Sequence, residues 1–284
     1  MSTYNGVLNV EHYEALKDHP FMGGIKPTRR KHWEICLELT ALANAGVLKE
    51  DSRVLITGAG AEATIFYLST ICEVHATDLY MQPGVWKKWT TPDFLRRTTP
   101  DFLRSPSMAF ENEAMFGASE SFPQWVKDID YNRIIVQHMD MRVLRYPTAY
   151  FDAVVCTSSI EHVGDFSDVE QTLGEMIRVV KPGGIITLST EFLIDGPETG
   201  TRNTLMFPED MVDYVFIEPF KGEVSIMGSK PNYEVDEATL ETRYPIEIIA
   251  REGIFPAVEG VLEMRGGFVF TSMHLALRRK KTRS

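Results

Sequence analysis

The stretch "VLITGAGAEATIFYLSTICEVHATDLY", residues 54–80, constrains the fold more than any other part of the chain. An apolar run ends at Gly58 and Gly60, a helix-like segment follows, and a second apolar run ends at Asp78. Strand, glycine turn, helix and strand form the unit that binds adenosine-containing cofactors in open α/β sheets. The turn departs from a dinucleotide fingerprint at one place. Ala63 would serve as its last small residue, but Glu62 lies where the backbone must approach a pyrophosphate. Two like charges ~4 Å apart at an effective dielectric of ~20 repel by about 4 kcal/mol. The carboxylate therefore argues against NAD and favours a ligand with a cationic group near the turn.

The alternation continues along the chain. "RVLIT", "EVHATD", "RIIVQHMD", "FDAVVCTSS" and "GGIITLST" read as strands separated by crossovers, which predicts an α/β fold with a doubly wound, mostly parallel sheet. Before the turn, "RRKHWEICLELTALANAGVL" sets Ile35, Cys36, Leu39, Leu42 and Ala43 at helical spacing, with Gly46 as a stop. "SDVEQTLGEMIRVVKPGG" predicts a second helix. Ser167 and Glu170 form its capping box, Val169, Leu173, Met176, Ile177 and Val180 its core face, and Pro182, Gly183 and Gly184 its end. Past residue 191 a helix is expected near "PEDMVDYVF", and the runs "AVEGVLEMR" and "GFVFTSMHLALRR" can close the sheet as an antiparallel pair.

With 284 residues and 44% hydrophobic content, the chain can bury a sizeable core. It is expected to be a single domain over 1–284, with an N-terminal helical lid segment (1–50), a cofactor-binding core (51–190) and a C-terminal part (191–284) completing sheet and substrate pocket. Forty acidic against 29 basic residues give a formal charge of -11, a poor match to a phosphate backbone, so no nucleic-acid partner is expected. The basic end "RRKKTRS" reads as a solvated tail. Cys36, Cys72 and Cys156 lie in apolar contexts without metal-ligand spacing. The N-terminus lacks a signal-peptide pattern and no run reaches the ~18 apolar residues of a membrane helix, so a cytoplasmic protein without membrane contact is expected. The octets "TTPDFLRR" (90–97) and "TTPDFLRS" (98–105) are near-copies and read as a duplication in a tolerant loop.

Two further blocks, "FDAVVCTSSIEHV" and "RVVKPGG", stand after the glycine turn in order and spacing. With them, residues 53–190 resemble the class I S-adenosylmethionine-dependent methyltransferases, in particular the type 11-like methyltransferase domain. The resemblance implies a seven-stranded Rossmann-like sheet with an antiparallel last strand, helices on both faces, and S-adenosylmethionine as cofactor. It implies that Gly58, Ala59 and Gly60 turn against the methionine part, and that Asp78, followed by Leu79, accepts from the ribose hydroxyls. Asp140 would hold the adenine amino group with Met141 covering the ring, and Thr157 and Ser158 would lie near the methionine carboxylate and sulfonium. Two positions depart from the family pattern: Ile56 stands where an acidic residue is usual, and Glu62 where a third glycine is usual. Glu62 would then replace the missing acid by accepting from the cofactor ammonium; the alternative is plain stabilisation of a helix N-terminus.

Methyl transfer from a sulfonium is a displacement, so a protein base is needed only when the acceptor carries a proton. Glu161 and His162 follow the fourth strand, at the carboxyl edge where open sheets place their sites, and are the candidate catalytic pair. The alternative is a pair that orders the loop. Glu191 could join them about a divalent ion, but the spacing assigns no metal. Aromatic residues outside the shared core, including Tyr13, Phe21, Trp86, Trp89, Phe110, Phe116 and Trp125, are consistent with a lid over a small organic acceptor or with ordinary core. The expected function is methyl transfer to oxygen or nitrogen of a small molecule, such as a sugar or secondary metabolite. A non-catalytic cofactor-fold protein is the alternative, with an NAD oxidoreductase behind it.

Overall fold

The computed structural model describes residues 2–9, 11–16, 18–23, 30–60, 62–80, 123–197, 199–201, 204–241, 244–245, 262–265 and 267–281. The duplicated octets at 90–105, together with Trp86, Trp89, Phe110 and Phe116, lie outside them, and Tyr13 is described by its backbone alone. The strands are β1 (Gly6–Val7), β2 (Arg53–Thr57), β3 (Glu73–Asp78), β4 (Ile134–His138), β5 (Phe151–Thr157), β6 (Val180–Asp195), β7 (Gly200–Thr201), β8 (Thr204–Leu205), β9 (Val224–Ile226), β10 (Tyr244–Pro245), β11 (Glu263–Arg265) and β12 (Phe268–Arg279). The principal helices are α1 (Glu11–Leu16), α2 (Arg30–Asn44), α3 (Ala63–Ser69) and α4 (Phe166–Val179).

Five parallel strands run β4-β3-β2-β5-β6, and β12 adds antiparallel to β6 with Ser272 opposite Glu191 and His274 opposite Ser189. Short strands then extend the far side, where β11, β1 and β9 all pair with β12, giving ten strands among the described residues. The Rossmann-like order and the antiparallel last strand are as expected; the count of seven grows because β12 carries these short segments along its length. Residues 257–261 of the first late run lie outside the described residues. The order reverses between β2 and β5, so the carboxyl ends of those strands, at Thr57 and Thr157, flank the switch point where open sheets bind ligands.

Strand alternation fills two cores. Val54, Ile56, Ala153 and Val155 face α2 and α3, while Leu55, Val154 and Cys156 face α4. Helices thus cover both faces. In α2, Ile35, Cys36, Leu39 and Leu42 are buried as the spacing predicts, but Ala43 is exposed. Gly46 stops the helix at φ 72°: its N–H donates to Ala43 O and the Val47 N–H to Leu42 O, both at 3.0 Å. That closure needs a left-handed residue, which glycine adopts without strain.

Val169, Leu173, Met176 and Ile177 form the α4 core face as predicted, but Val180 belongs to β6 and the helix ends differ from the expectation. Asp165, not Ser167, is the cap: its Oδ1 accepts the Asp168 N–H at 3.0 Å, and Asp168 Oδ2 accepts the Asp165 N–H at 3.3 Å. Asp165 and Asp168 have the same three-residue spacing two positions earlier, and both carry the acceptors the box requires. The helix also ends at Val179, ahead of Pro182, because Val180 already pairs with Phe151 on β5. The helix expected near 208–216 is a single α turn, Glu209–Val212, that widens into a π turn over Asp213–Ile217.

Candidate active site

After β2 the chain turns through Gly58 at φ 61° and Gly60 at φ 48°. A Cβ on Gly58 would meet Ser159 Cβ at 2.4 Å and Met141 Cε at 2.8 Å, so the turn lies directly against the loops after β4 and β5. Asp78 closes it from the neighbouring strand: Oδ2 accepts the Gly60 N–H at 2.9 Å and Oδ1 the Leu79 N–H at 2.6 Å. The Tyr80 hydroxyl donates to Gly60 O at 2.8 Å. Each carboxylate oxygen can accept more than one donor, so these bonds leave Asp78 capacity for others.

Glu62 is the N-cap residue of α3, yet its side chain makes no capping hydrogen bond. Instead Oε1 faces Lys31 Nζ at 3.8 Å, and Oε2 is buried without a hydrogen-bond partner. Burial pushes its carboxyl up to about 7 against the pull of Lys31, with Glu34 and Asp78 adding to the rise. The Thr157 hydroxyl lies close by, but its proton goes to Glu38.

The other wall is the first half of α2. Glu38 accepts from Thr157 Oγ1 at 2.7 Å and Ser189 Oγ at 2.9 Å. Glu34 accepts from Ser158 Oγ at 2.8 Å and from Ser272 Oγ, and pairs with Lys31 Nζ at 2.8 Å. Thr157 and Ser158, expected beside the cofactor, thus have glutamate partners on α2. Ser158 sits at φ 41°, a strained value for a residue with a Cβ, at the point where β5 meets the site. Burial raises the Glu38 carboxyl well above its usual range, whereas Glu34, although buried, is held at about 2 by Lys31 and Arg30.

Asp140 is paired with Arg142 (Oδ2 to Nη2, 2.7 Å), which also donates to Val163 O at 3.2 Å and reaches Asp168 Oδ1 at 3.3 Å. Hydrogen bonding from Arg142 lowers the Asp140 carboxyl. Arg142 therefore ties the loop after β4 to the loop after β5, and Met141 is carried against Gly58.

Glu161 and His162 lie on a short turn after β5. Glu161 is 1% exposed; Oε2 accepts from Thr190 Oγ1 at 3.1 Å, and Oε1 is buried with no hydrogen-bond partner, 4.0 Å from His162 Nε2. Burial, and then the nearby Glu191, push its carboxyl well above the usual range. The His162 ring is half exposed and meets Thr204 Oγ1 on β8 at 3.4 Å. Glu191 pairs with Arg30 at 3.0 Å, and the described residues contain no group of three acidic, histidine or cysteine side chains that could hold a metal. A guanidinium thus already pairs with Glu191, the residue considered beside Glu161 and His162 for a divalent ion.

Sequence reasoning missed Arg30, Lys31, Glu34 and Glu38. Apolar periodicity marked the packing face, with Glu34 and Glu38 next to Ile35 and Leu39 in sequence, but it gave no sign of their distant hydroxyl partners. Among the described residues the site holds five glutamates (34, 38, 62, 161 and 191) against two cations, with two buried carboxylate oxygens lacking partners. Such a surround suits a cationic ligand, and S-adenosylmethionine, with its sulfonium and ammonium, fits these residues.

Residues 113–188 match a protein-family model described as a methyltransferase domain. The match ends within β6 and begins beyond the glycine turn. No curated protein matches the chain. Among solved structures, a Galdieria sulphuraria protein described as a sarcosine dimethylglycine methyltransferase is 13% identical over 87% of this chain and 85% of that one, with a TM-score of 0.51. The YcgJ protein of Bacillus subtilis is 14% identical over 87% and 99%, with a TM-score of 0.49. At 13% identity the likeness to the Galdieria structure is one of fold. The resemblance read from the sequence holds: a methyltransferase-domain match lies on a Rossmann-like class I fold, and S-adenosylmethionine is the cofactor it supports.

Proposed function

We propose that this chain transfers a methyl group from S-adenosylmethionine to oxygen or nitrogen of a small-molecule acceptor such as a sugar or secondary metabolite. The observation that carries the reading is the buried, unpartnered Oε2 of Glu62 immediately beyond the glycine turn. A pyrophosphate there would be repelled, whereas a cationic group satisfies the oxygen. When bound, the cofactor supplies an electrophilic methyl carbon. Glu62 would hold its ammonium, the backbone from Gly58 through Ala59 to Gly60 would permit close approach, and Asp78 and Leu79 would attend the ribose. Asp140 and Met141 would hold the adenine, and Thr157 and Ser158 would set the strand end beside the amino-acid part.

On the acceptor side, Glu161 Oε1 is the atom able to receive a proton. His162, within 4.0 Å and half exposed, gives that proton a route to solvent. A cation bound nearby favours the ionised form of Glu161 and so readies it as a base. Calorimetric titration with S-adenosylmethionine, its demethylated product and NADH tests the cofactor: heat with the first two and none with NADH is expected. Mass spectrometry of metabolite pools incubated with protein and methyl-labelled cofactor then identifies the acceptor. Cofactor binding without any labelled product would leave the non-catalytic alternative standing.

A further inference from the structure

The first turn of α2 brings two cations, Arg30 and Lys31, to a site otherwise lined with carboxylates. Arg30 is committed to Glu191 at 3.0 Å and donates to Ser272 Oγ at 2.6 Å. Lys31 is placed differently. Its Nζ is 2.8 Å from Glu34 Oε2 and 3.8 Å from Glu62 Oε1, and its side chain is 32% exposed while that of Glu34 is 2% exposed.

We propose that Lys31 and Glu62 form a split clamp for the amino-acid end of the cofactor, Lys31 taking the carboxylate and Glu62 the ammonium. The proposal rests on the cofactor reading above and adds α2 to the cofactor site. The 3.8 Å gap is longer than a hydrogen bond, so the two charges face each other without closing. An ammonium has three donors and Glu34 takes one. Across the gap, Glu62 Oε2 is buried with no partner. An α-amino acid carries an ammonium and a carboxylate on one carbon, and an opposed cation and anion on two separate elements are the complement of that pair.

Lys31 is more than a counter-ion to Glu34. Glu34 also accepts from Ser158 and Ser272 and has Arg30 at 4.0 Å, so its carboxylate is provided for from three other sides. The charges of Glu62 and Glu161 act on Lys31 as well as that of Glu34, and together they outweigh burial and keep its ammonium charged. A carboxylate ligand brought between these acids finds its positive partner at Lys31.

The test compares S-adenosylhomocysteine with 5′-methylthioadenosine, a thioether nucleoside that lacks the amino-acid group. Because Lys31→Met alone removes a partner from a buried carboxylate and can unfold the chain, the variant used is Lys31→Met with Glu34→Gln, with Glu34→Gln alone as control. Melting without ligand shows that each is folded. Relative to the Glu34→Gln control, the double variant is expected to bind S-adenosylhomocysteine about 10- to 100-fold more weakly and methylthioadenosine within about twofold. Unchanged S-adenosylhomocysteine binding in the folded double variant, or equal weakening of both ligands, overturns the clamp. A parent protein that binds neither ligand overturns the cofactor reading itself, an outcome distinct from loss of selectivity between the two.

Discussion

The carboxylate of Asp78, at the end of one strand, holds the main chain of Gly60, in the turn after the adjacent strand, with a 2.9 Å hydrogen bond to Oδ2. One residue thus shapes the turn from which the ribose would be bound. Asp78→Ala should weaken S-adenosylmethionine binding by roughly 10- to 100-fold, since a hydrogen bond to a charged group contributes about 1.5–3 kcal/mol. It should also lower the melting temperature, because the N–H groups of Gly60 and Leu79 lose their acceptor. Calorimetry and thermal melting on the same variant separate the two effects. Unchanged affinity in a folded variant would remove the ribose role.

Glu62→Gln keeps size and removes charge. If the carboxylate meets the cofactor ammonium, affinity should fall by about one to two powers of ten. The pH dependence has a definite sign. The folded-state pKa is raised, from 4.5 to about 7, so Glu62's contribution to stability is fully present below about pH 4.5 and is lost as pH rises through about 7. The parent without ligand should therefore lose more stability between pH 6 and 8 than the Gln variant does. Cofactor affinity should rise over the same interval in the parent, as the carboxylate ionises, and stay flat in the variant. Tighter binding by Glu62→Gln would instead point to an anionic ligand at the turn.

The central strands were legible because each is a short apolar run bounded by a turn. β2 and β3 fall on the residues read from the sequence, since burial on both faces leaves few alternative registers. The glycine turn was legible because a left-handed backbone at Gly58, closed in by Ser159 and Met141, admits no side chain. The α2 wall was not. Apolar periodicity identifies which face of a helix packs, but Glu34 and Glu38 are buried on that face against serine and threonine hydroxyls from β5, β6 and β12. Those partners lie more than a hundred residues away in sequence. Local spacing carries no information about such a pairing. The Asp140–Arg142 pair was hidden for a different reason: a turn aspartate two residues before an arginine is ordinary, and only the fold shows Arg142 reaching Val163 and Asp168.

The α4 cap gives a test that is independent of any ligand. Asp165→Ala should cost about 1 kcal/mol, within a range of roughly 0.5–2, because the Asp168 N–H loses its acceptor and the reciprocal bond has nothing to pair with. Ser167→Ala, one residue inside the first turn, should change stability by no more than about 0.5 kcal/mol. Urea melts of the two variants compare them directly. A larger loss for Ser167 than for Asp165 would restore the Ser167–Glu170 box that the sequence suggested.

Glu161 allows chemistry to be separated from binding. Its Oε1 is buried without a partner and its carboxyl is held above the usual range by burial and by Glu191, so the unliganded protein gains little from its charge. Glu161→Gln should leave the fold intact, with a melting temperature at or above that of the parent near pH 8, where an ionised buried carboxylate is most costly. Affinity for S-adenosylhomocysteine should stay within about threefold, since Glu62 and Asp78 hold the cofactor in this reading. Once the acceptor is known, kcat should fall by about 10²- to 10⁴-fold, the usual contribution of a positioned base, and the rise of rate with pH should vanish with the group that titrates. His162→Gln, by contrast, should lower kcat less than Glu161→Gln, because a half-exposed ring beside Glu161 can be replaced by water as a route for the proton. A Glu161→Gln enzyme with parental kcat and pH profile would return Glu161 to the role of a loop anchor bonded to Thr190.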